Sequence, residues 1–462
     1  TTTASSTRLI NVTHARNDIT AHIIAPTVAW RVAKPLSVRY TGHMYVALLG
    51  RQPALGIAEL ERVFSGGNVT PLSHLAAVID TSLFDIRDFG GALKAGKVVI
   101  DLPSGDWSRV SQKVVQKYSN EWTLFDGKIT LGLSVYGFTT PSRDVQKLGL
   151  ILKQKLKKAG VSLRLVPNQQ PSLSTATSHH NKLGLAPNKI ELLIIRGKNG
   201  RVIVAESTGA QNITAYTRRD QERPKRDAFV GMLPPKLAQI MINLAAGTAS
   251  RSTKSIGDPT ATAAPEITSL TREFQGAKGG SSSDLGDTGD LNKRLRVLDP
   301  FCGTGVILQE AALKGYAVYG TDLNEKMISF TRDNLNWLAD THHIKFDWYL
   351  HEGDAMTTKW QQPIDTVVAE TYLGQPFSAP PSPAKLAEVR KICNHIITEF
   401  LKNLHPQIKT GAQICIAVPA WKAIDGTFTH LPLIATIAQL GYRPHEFHNV
   451  SQNDLLYYRE DQ

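Results

Sequence analysis

Cysteine is scarce: 462 residues hold three, Cys302, Cys393 and Cys415. Their spacing matches no metal site and builds no disulfide framework, which argues against a stapled secreted scaffold and for a reducing, cytoplasmic setting. Long apolar runs are missing too. None approaches the roughly 20 residues that cross a bilayer, so no membrane span is expected. Ser178-His179-His180 has no third ligand at a useful spacing, and no metal is expected there. Acids are the minority charge, 40 against 52 lysines and arginines, giving a net charge of +12 and an isoelectric point near 9.4. Such a balance suits a protein that neutralises phosphates, although the charge is spread too evenly to mark a surface.

Two stretches lack the pattern of packed structure. Residues 1–43 contain no methionine and few acids, and are expected to be a leader outside the fold, either a transit peptide or a stretch upstream of the native start. Residues 249–292, rich in Gly, Ser and Thr, read as a flexible low-complexity insertion that loops out of the fold.

The informative segment is Leu295-Arg-Val-Leu-Asp-Pro-Phe-Cys-Gly-Thr-Gly305. Leu295–Leu298 read as a short buried strand that ends at Asp299. Gly303 and Gly305 then open a loop into the helical pattern of Val306–Leu313. Strand, glycine loop and helix make a nucleotide site of the α/β kind, where glycines let the backbone approach a ligand. A dinucleotide fingerprint wants a third glycine where Leu308 stands, and no Gly-Lys-Ser/Thr follows to make a P-loop. Val318–Thr321 read as a second strand ending at Asp322, and Trp348–Glu352 as a third, followed by Gly353-Asp354-Ala355. A carboxylate at the end of the second strand can accept both ribose hydroxyls, yet aspartates at strand ends also cap loops. Asp365–Glu370 read as a fourth strand that runs into Thr371-Tyr372-Leu373-Gly374. Later strands are expected at Gln413–Val418, Pro444–Val450 and Leu455–Arg459.

Asp-Pro-Phe-Cys-Gly-Thr-Gly resembles motif I of S-adenosylmethionine-dependent methyltransferases, in the form typical of amino-group methylases. The resemblance implies that Asp299 holds the methionine amino group, Asp322 the ribose and Asp354 the adenine amino group. It extends the cofactor set to Phe301, Gly303, Thr304, Gly305, Leu323 and Ala355. Amino methylases usually carry Asp/Asn-Pro-Pro-Tyr/Phe after the fourth strand. Here Glu370 stands as the hydrogen acceptor and Tyr372 as the stacking platform, with Thr371 at the proline position and the aromatic one residue closer to the acid. An ordinary strand end with a wet Glu and a packed Tyr is the other reading. Without proline the loop should be less pre-set, so Thr371→Pro is expected to preserve or raise turnover.

Upstream, Arg218-Arg-Asp-Gln-Glu-Arg-Pro-Lys-Arg-Asp227 leads to Pro234-Pro235 and a helix with Leu237, Ile240, Met241 and Leu244 on one face. With Met44-Tyr-Val-Ala-Leu-Leu-Gly-Arg51 and Ala58-Glu59-Leu60, this segment resembles the tRNA guanine-N2 methyltransferases that carry an N-terminal THUMP domain. In that family it closes over the methionine end of the cofactor. Asp144–Ala159 read as a lysine-rich amphipathic helix. Val161–Val166, Ile190–Arg196 and Val202–Ser207 read as strands, the last two joined by a Gly-Lys-Asn-Gly hairpin.

The expected fold is therefore α/β: a doubly wound, mostly parallel methylase sheet at 293–462 with its last strand antiparallel. Before it come a smaller α+β THUMP-like RNA-binding region at 44–216 and a connecting segment at 217–248. The expected activity is methyl transfer to an exocyclic amine of a tRNA base, guanine N2 first. A DNA amino-methylase and a non-catalytic RNA-binding protein with a degenerate methylase domain are the alternatives. A small activating partner subunit is compatible with the resemblance, and otherwise a monomer is expected.

Overall fold

The computed structural model describes residues 5–14, 44–227, 233–247, 294–361, 363–374, 381–422 and 427–457. The insertion expected at 249–292 and the leader from residue 15 to 43 lie outside the described residues. Ser5–His14 is a strand, β1, which overturns the expectation that all of 1–43 stands apart from the fold. Its alternation explains why it is buried. Leu9 packs into one core and Ile10 and Val12 into another, on opposite faces of a sheet. A strand covered on both faces reads as a short apolar run, here Leu9-Ile10-Asn11-Val12. The buried Asn11 donates from Nδ2 to the Leu244 carbonyl at 2.7 Å.

Residues 44–210 build an eight-stranded sheet. Its strands are β2 (Met44–Leu49), β3 (Val69–Ser73), β4 (Ala76–Asp80), β5 (Ala92–Leu102), β6 (Lys128–Tyr136), β7 (Ser162–Leu165), β8 (Lys189–Arg196) and β9 (Val202–Ala210). The order is β3-β4-β2-β5-β9-β8-β6-β7, antiparallel except where β6 pairs β7 and β8. Helices α1 (Pro53–Phe64), α2 (Trp107–Glu121), α3 (Ser142–Lys158) and α4 (Thr175–His180) connect these strands, and α5 (Ile213–Gln221) leads out. The lysine-rich α3 buries Val145, Leu148, Leu152 and Leu156 and leaves its lysines in water.

The second sheet comprises β1 with β10 (Arg296–Asp299), β11 (Ala317–Asp322), β12 (Trp348–Glu352), β13 (Thr366–Glu370), β14 (Gln413–Lys422), β15 (Phe428–Thr429), β16 (Tyr442–Pro444) and β17 (Leu456–Tyr457). Its order is β12-β11-β10-β13-β14-β1-β16, and the first five strands are parallel. β1 runs antiparallel to both β14 and β16, and the short β15 also pairs antiparallel with β14. Of the strand expected at Leu455–Arg459, Leu456 and Tyr457 form β17 against β1, and residues 458 and 459 lie outside the described residues. The strand expected at Pro444–Val450 stops at Pro444. The Glu61 carboxylate of α1 takes the backbone N–H groups of His448 and Asn449, at 2.6 and 2.8 Å, away from any ladder.

Helices α6 (Pro235–Ala246), α7 (Val306–Leu313) and α8 (Glu325–His342) cover one face, and α9 (Pro383–Leu404) covers the other. The sheet is thus doubly wound. The chain leaves β10 for β11 and β12 on one side and returns to β13 on the other. That reversal opens a crevice at the carboxyl ends of β10 and β13, the place where ligands sit in open α/β sheets. The two sheets meet through α6. Glu59 of α1 accepts from Asn243 Nδ2 at 2.7 Å, and Arg62 donates to the Leu244 carbonyl at 2.8 Å.

Candidate active site

Asp299 ends β10 at the crevice and is 1 % exposed. Among the described residues its carboxylate accepts one bond, from the Phe301 amide at 3.2 Å. Burial raises its pKa well above the usual carboxylate value, and the charges of Asp322 and Glu370 raise it further. The glycine loop then curls across the ends of β10 and β11. Gly303 and Gly305 have φ of 50° and 83°, in the left-handed region open to glycine at no cost. Asp322 closes the loop from below: Oδ2 accepts from the Gly303 amide and Oδ1 from the Asn324 amide, both at 2.9 Å. Burial pushes its pKa up as well.

Thr331 and Asn334 of α8 hold the loop from behind. Thr331 Oγ1 donates to the Gly303 carbonyl at 2.7 Å, and Asn334 Nδ2 donates to the Thr304 carbonyl at 2.8 Å. The sequence reading missed both. Their signal is two polar residues fully buried on the apolar face of an amphipathic helix, beside Met327, Ile328, Leu335 and Leu338. Asn334 also exchanges bonds with the backbone of Lys225, at 2.9 Å each way. The Arg218–Asp227 segment is thereby fastened to the glycine loop, and Arg219 clamps Glu310 of α7 at 2.6 Å. Residues 228–232, between this segment and α6, lie outside the described residues.

Gly305 has no room for a side chain. A Cβ there would sit 2.8 Å from Thr331 Cγ2 and 3.0 Å from its Oγ1, with φ already at +83°. Left-handed backbone costs about 1–2 kcal/mol for a non-glycine residue. Gly305→Ala should therefore lower the melting temperature and weaken ligand binding at the loop together, as thermal denaturation and calorimetry would report. A variant that melts and binds like wild type would show the loop to be softer than its packing implies.

The other expected residues are distributed around this centre. Asp354, after β12, accepts from the Met356 amide at 2.8 Å, with Ala355 buried beside it. Leu323 is 69 % exposed, an apolar surface next to Asp322. Phe301 packs edge-on against Phe400 of α9, centroids 5.2 Å apart, and Thr304 is buried. Cys302 lies inside the loop, where burial raises its thiol pKa well above the ordinary value, so it packs and does not react.

Across the crevice, Glu370 ends β13. Its pKa is pushed up to about 7 by burial. Among the described residues it forms neither an ion pair nor a hydrogen bond, and neither Asp299 nor Asp322 has a cationic partner. Tyr372 is 38 % exposed at the crevice mouth. Thr371 between them is 3 % exposed and tied to β14, where the Ala417 carbonyl accepts both its amide, at 3.0 Å, and its Oγ1, at 2.8 Å.

That arrangement argues against the expectation for Thr371→Pro. Proline has neither the amide nor the hydroxyl, so two bonds worth about 0.5–1.5 kcal/mol each disappear. The Ala417 carbonyl is left without these donors on a central strand. We expect a loss of roughly 1–3 kcal/mol in chemical denaturation and a turnover below wild type. An equal or faster variant would restore the sequence-based expectation. Thr371 is held in place by hydrogen bonding to β14.

Residues 291–439 match the family described as "Methyltransferase domain". The chain is 31 % identical over 130 residues to the tRNA (guanine(10)-N2)-dimethyltransferase of Methanothermobacter thermautotrophicus, a match covering 28 % of this chain and 34 % of that one. It is 36 % identical over 83 residues to the protein of the same name from Pyrococcus abyssi, covering 18 % of this chain and 21 % of that one. The chain thus spans about a third of one relative's length and a fifth of the other's. Among solved structures, TrmN from Thermus thermophilus aligns over 84 % of this chain and 97 % of its own, with a TM-score of 0.42 and 16 % identity. Among the described residues no helix is long and apolar enough to cross a membrane.

Proposed function

We propose that this chain transfers a methyl group from S-adenosylmethionine to an exocyclic amino group of a tRNA base, guanine N2 first. One observation carries the reading. Three carboxylates, Asp299, Asp322 and Glu370, surround a glycine loop at a topological switch point, and among the described residues no cation faces them. Uncompensated buried charge is costly, so such a site fits a ligand that brings positive charge. Bound there, S-adenosylmethionine supplies an amino group and an electrophilic methyl on a sulfonium. Asp299 would hold the amino end, with Phe301, Gly303, Thr304 and Gly305 shaping the loop. Asp322 keeps acceptor capacity for the ribose, because a carboxylate has about four lone-pair sites and two are used. Leu323, Asp354 and Ala355 would frame the adenine.

The chain's own residues then have two tasks, positioning and accepting hydrogen bonds. Glu370, once ionised, is an acceptor only. It can take an amino hydrogen and relieve the positive charge that builds on the attacking nitrogen. Tyr372 presents an exposed ring to the base, and base–aromatic stacking is worth about 1–3 kcal/mol. A base paired in a folded tRNA must be extruded to reach the crevice. We assign RNA binding to the sheet of residues 44–210, which the resemblance makes THUMP-like. Support comes from the cationic face of α3 and the net charge of +12.

Tritiated methyl transfer to bulk tRNA, set against unmethylated genomic DNA, tests the reading. Label is expected in tRNA. Label in DNA alone would make the chain a DNA amino-methylase. Cofactor binding with no label in either would make it an RNA-binding protein that has lost catalysis.

A further inference from the structure

A second charged feature lies beside the proposed acceptor loop and outside the glycine-loop site. Two elements leave the carboxyl ends of β13 and β14 and run together. One is α9. The other is residues 427–432, brought back against the sheet where β15 pairs with Trp421 and Lys422 of β14. Between them is a groove of about 390 Å³ lined by Arg390, Lys391, Asn394, His395, Thr398 and Glu399. Arg390 and Lys391 supply two cations, and the one acid is already engaged, Glu399 with Lys402 at 2.8 Å.

The groove is built, not merely charged. Arg390 Nη2 donates to the His430 carbonyl at 3.0 Å, which fixes the guanidinium across the two walls. Among the described residues its Nε, Thr398 Oγ1 and His430 Nδ1 are buried without a protein partner, an unusual concentration of unmet polar atoms. The Phe428 and His430 rings stack alongside, centroids 6.4 Å apart and 20° from parallel. Position links the groove to the acceptor loop. A Cβ on Gly374, two residues after Tyr372, would lie 2.9 Å from Val389 Cγ1 and 3.6 Å from Cys393 Sγ. Arg390 and Asn394 are the next residues on that helix.

We propose that this groove binds a phosphodiester of the RNA strand flanking the nucleotide delivered to Tyr372, an inference that rests on the RNA-methylase reading. A nucleotide turned out of its stack keeps a phosphate on either side, and holding one of them fixes its register. An arginine fixed at one nitrogen, a lysine and a hydroxyl are the donors such a phosphate needs.

The test uses the full chain and bulk tRNA, with binding measured across a salt series. Each phosphate contact contributes roughly 0.7–0.9 to the slope of log affinity against log salt. Arg390→Gln/Lys391→Gln should lower that slope by about 0.7–0.9 and raise the KM for tRNA, while calorimetry shows unchanged affinity for S-adenosylmethionine. Arg390→Lys/Lys391→Arg should keep the wild-type slope. Lys391→Gln alone, on an exposed side chain, covers the case in which the double variant fails to fold, and its slope should drop measurably, by no more than about 0.7–0.9. Unchanged slopes overturn the groove even if methyl transfer to tRNA is confirmed. A reduced slope without methyl transfer would instead sink the catalytic reading and leave the groove standing.

Discussion

Asp299→Ala should weaken binding of S-adenosylmethionine by roughly 10- to 150-fold without unfolding the chain. The carboxylate is buried, takes a single bond among the described residues, from the Phe301 amide, and is crowded by the charges of Asp322 and Glu370. Hydrogen bonds to charged groups are worth about 1.5–3 kcal/mol, so losing one weakens binding by roughly 10- to 150-fold. Because the carboxylate is a liability in the free chain, alanine should leave the ligand-free melting temperature unchanged or raise it. Titration adds a second signature. Asp299 in the free chain holds its proton to a higher pH than an ordinary aspartate. A bound cation favours the ionised form, so binding must release a proton. Affinity should then rise with pH up to the raised pKa and level off above it. Calorimetry in two buffers of different ionisation enthalpy would count the proton. Equal binding by wild type and Asp299→Ala, with no proton released, would remove Asp299 from the site.

Much of this centre is legible in the sequence because it is local. Strand, aspartate, glycine loop and helix occupy one stretch from Leu295 to Leu313, and Asp322 and Asp354 follow at the ends of the next two strands. Burial on both faces makes those strands apolar runs, and the glycines mark where backbone must turn left-handed. The residues that support the site were not legible, since their partners are remote in sequence. Thr331 and Asn334 are ordinary polar residues of a helix until the loop carbonyls of Gly303 and Thr304 are placed against them. Thr371 was read against a proline pattern, and only its pairing with Ala417, 46 residues on, shows how it is held. Ser5–His14 is hidden in the sequence for a similar reason. A ten-residue strand has little periodicity of its own, and β1 is recognisable only beside β14.

Glu370→Ala should remove methyl transfer while leaving cofactor binding nearly intact. The acid ends the strand that faces Asp299 across the switch point, and no group among the described residues shares its carboxylate. A positioned acceptor of protons typically contributes about 10²- to 10⁴-fold, and a loss in kcat of that size is expected. The pH profile is the sharper reading, because burial has pushed this carboxyl up to about 7. Only the ionised form accepts an amino hydrogen, so kcat/KM should climb with pH through about 7 in the free enzyme. Once a sulfonium lies beside it, the opposite charge favours ionisation, and the rise in kcat should sit at lower pH. Glu370→Gln keeps an oxygen acceptor but has no charge to lose, so its residual activity should be flat over that range. Substantial turnover in Glu370→Ala, or a wild-type profile indifferent to pH between 5 and 8 in the region of a raised glutamate, would place the acceptor elsewhere. With an intact glycine loop and no proton acceptor, the chain would then bind its cofactor at β10 and β11 and leave the amine to lose its proton to water.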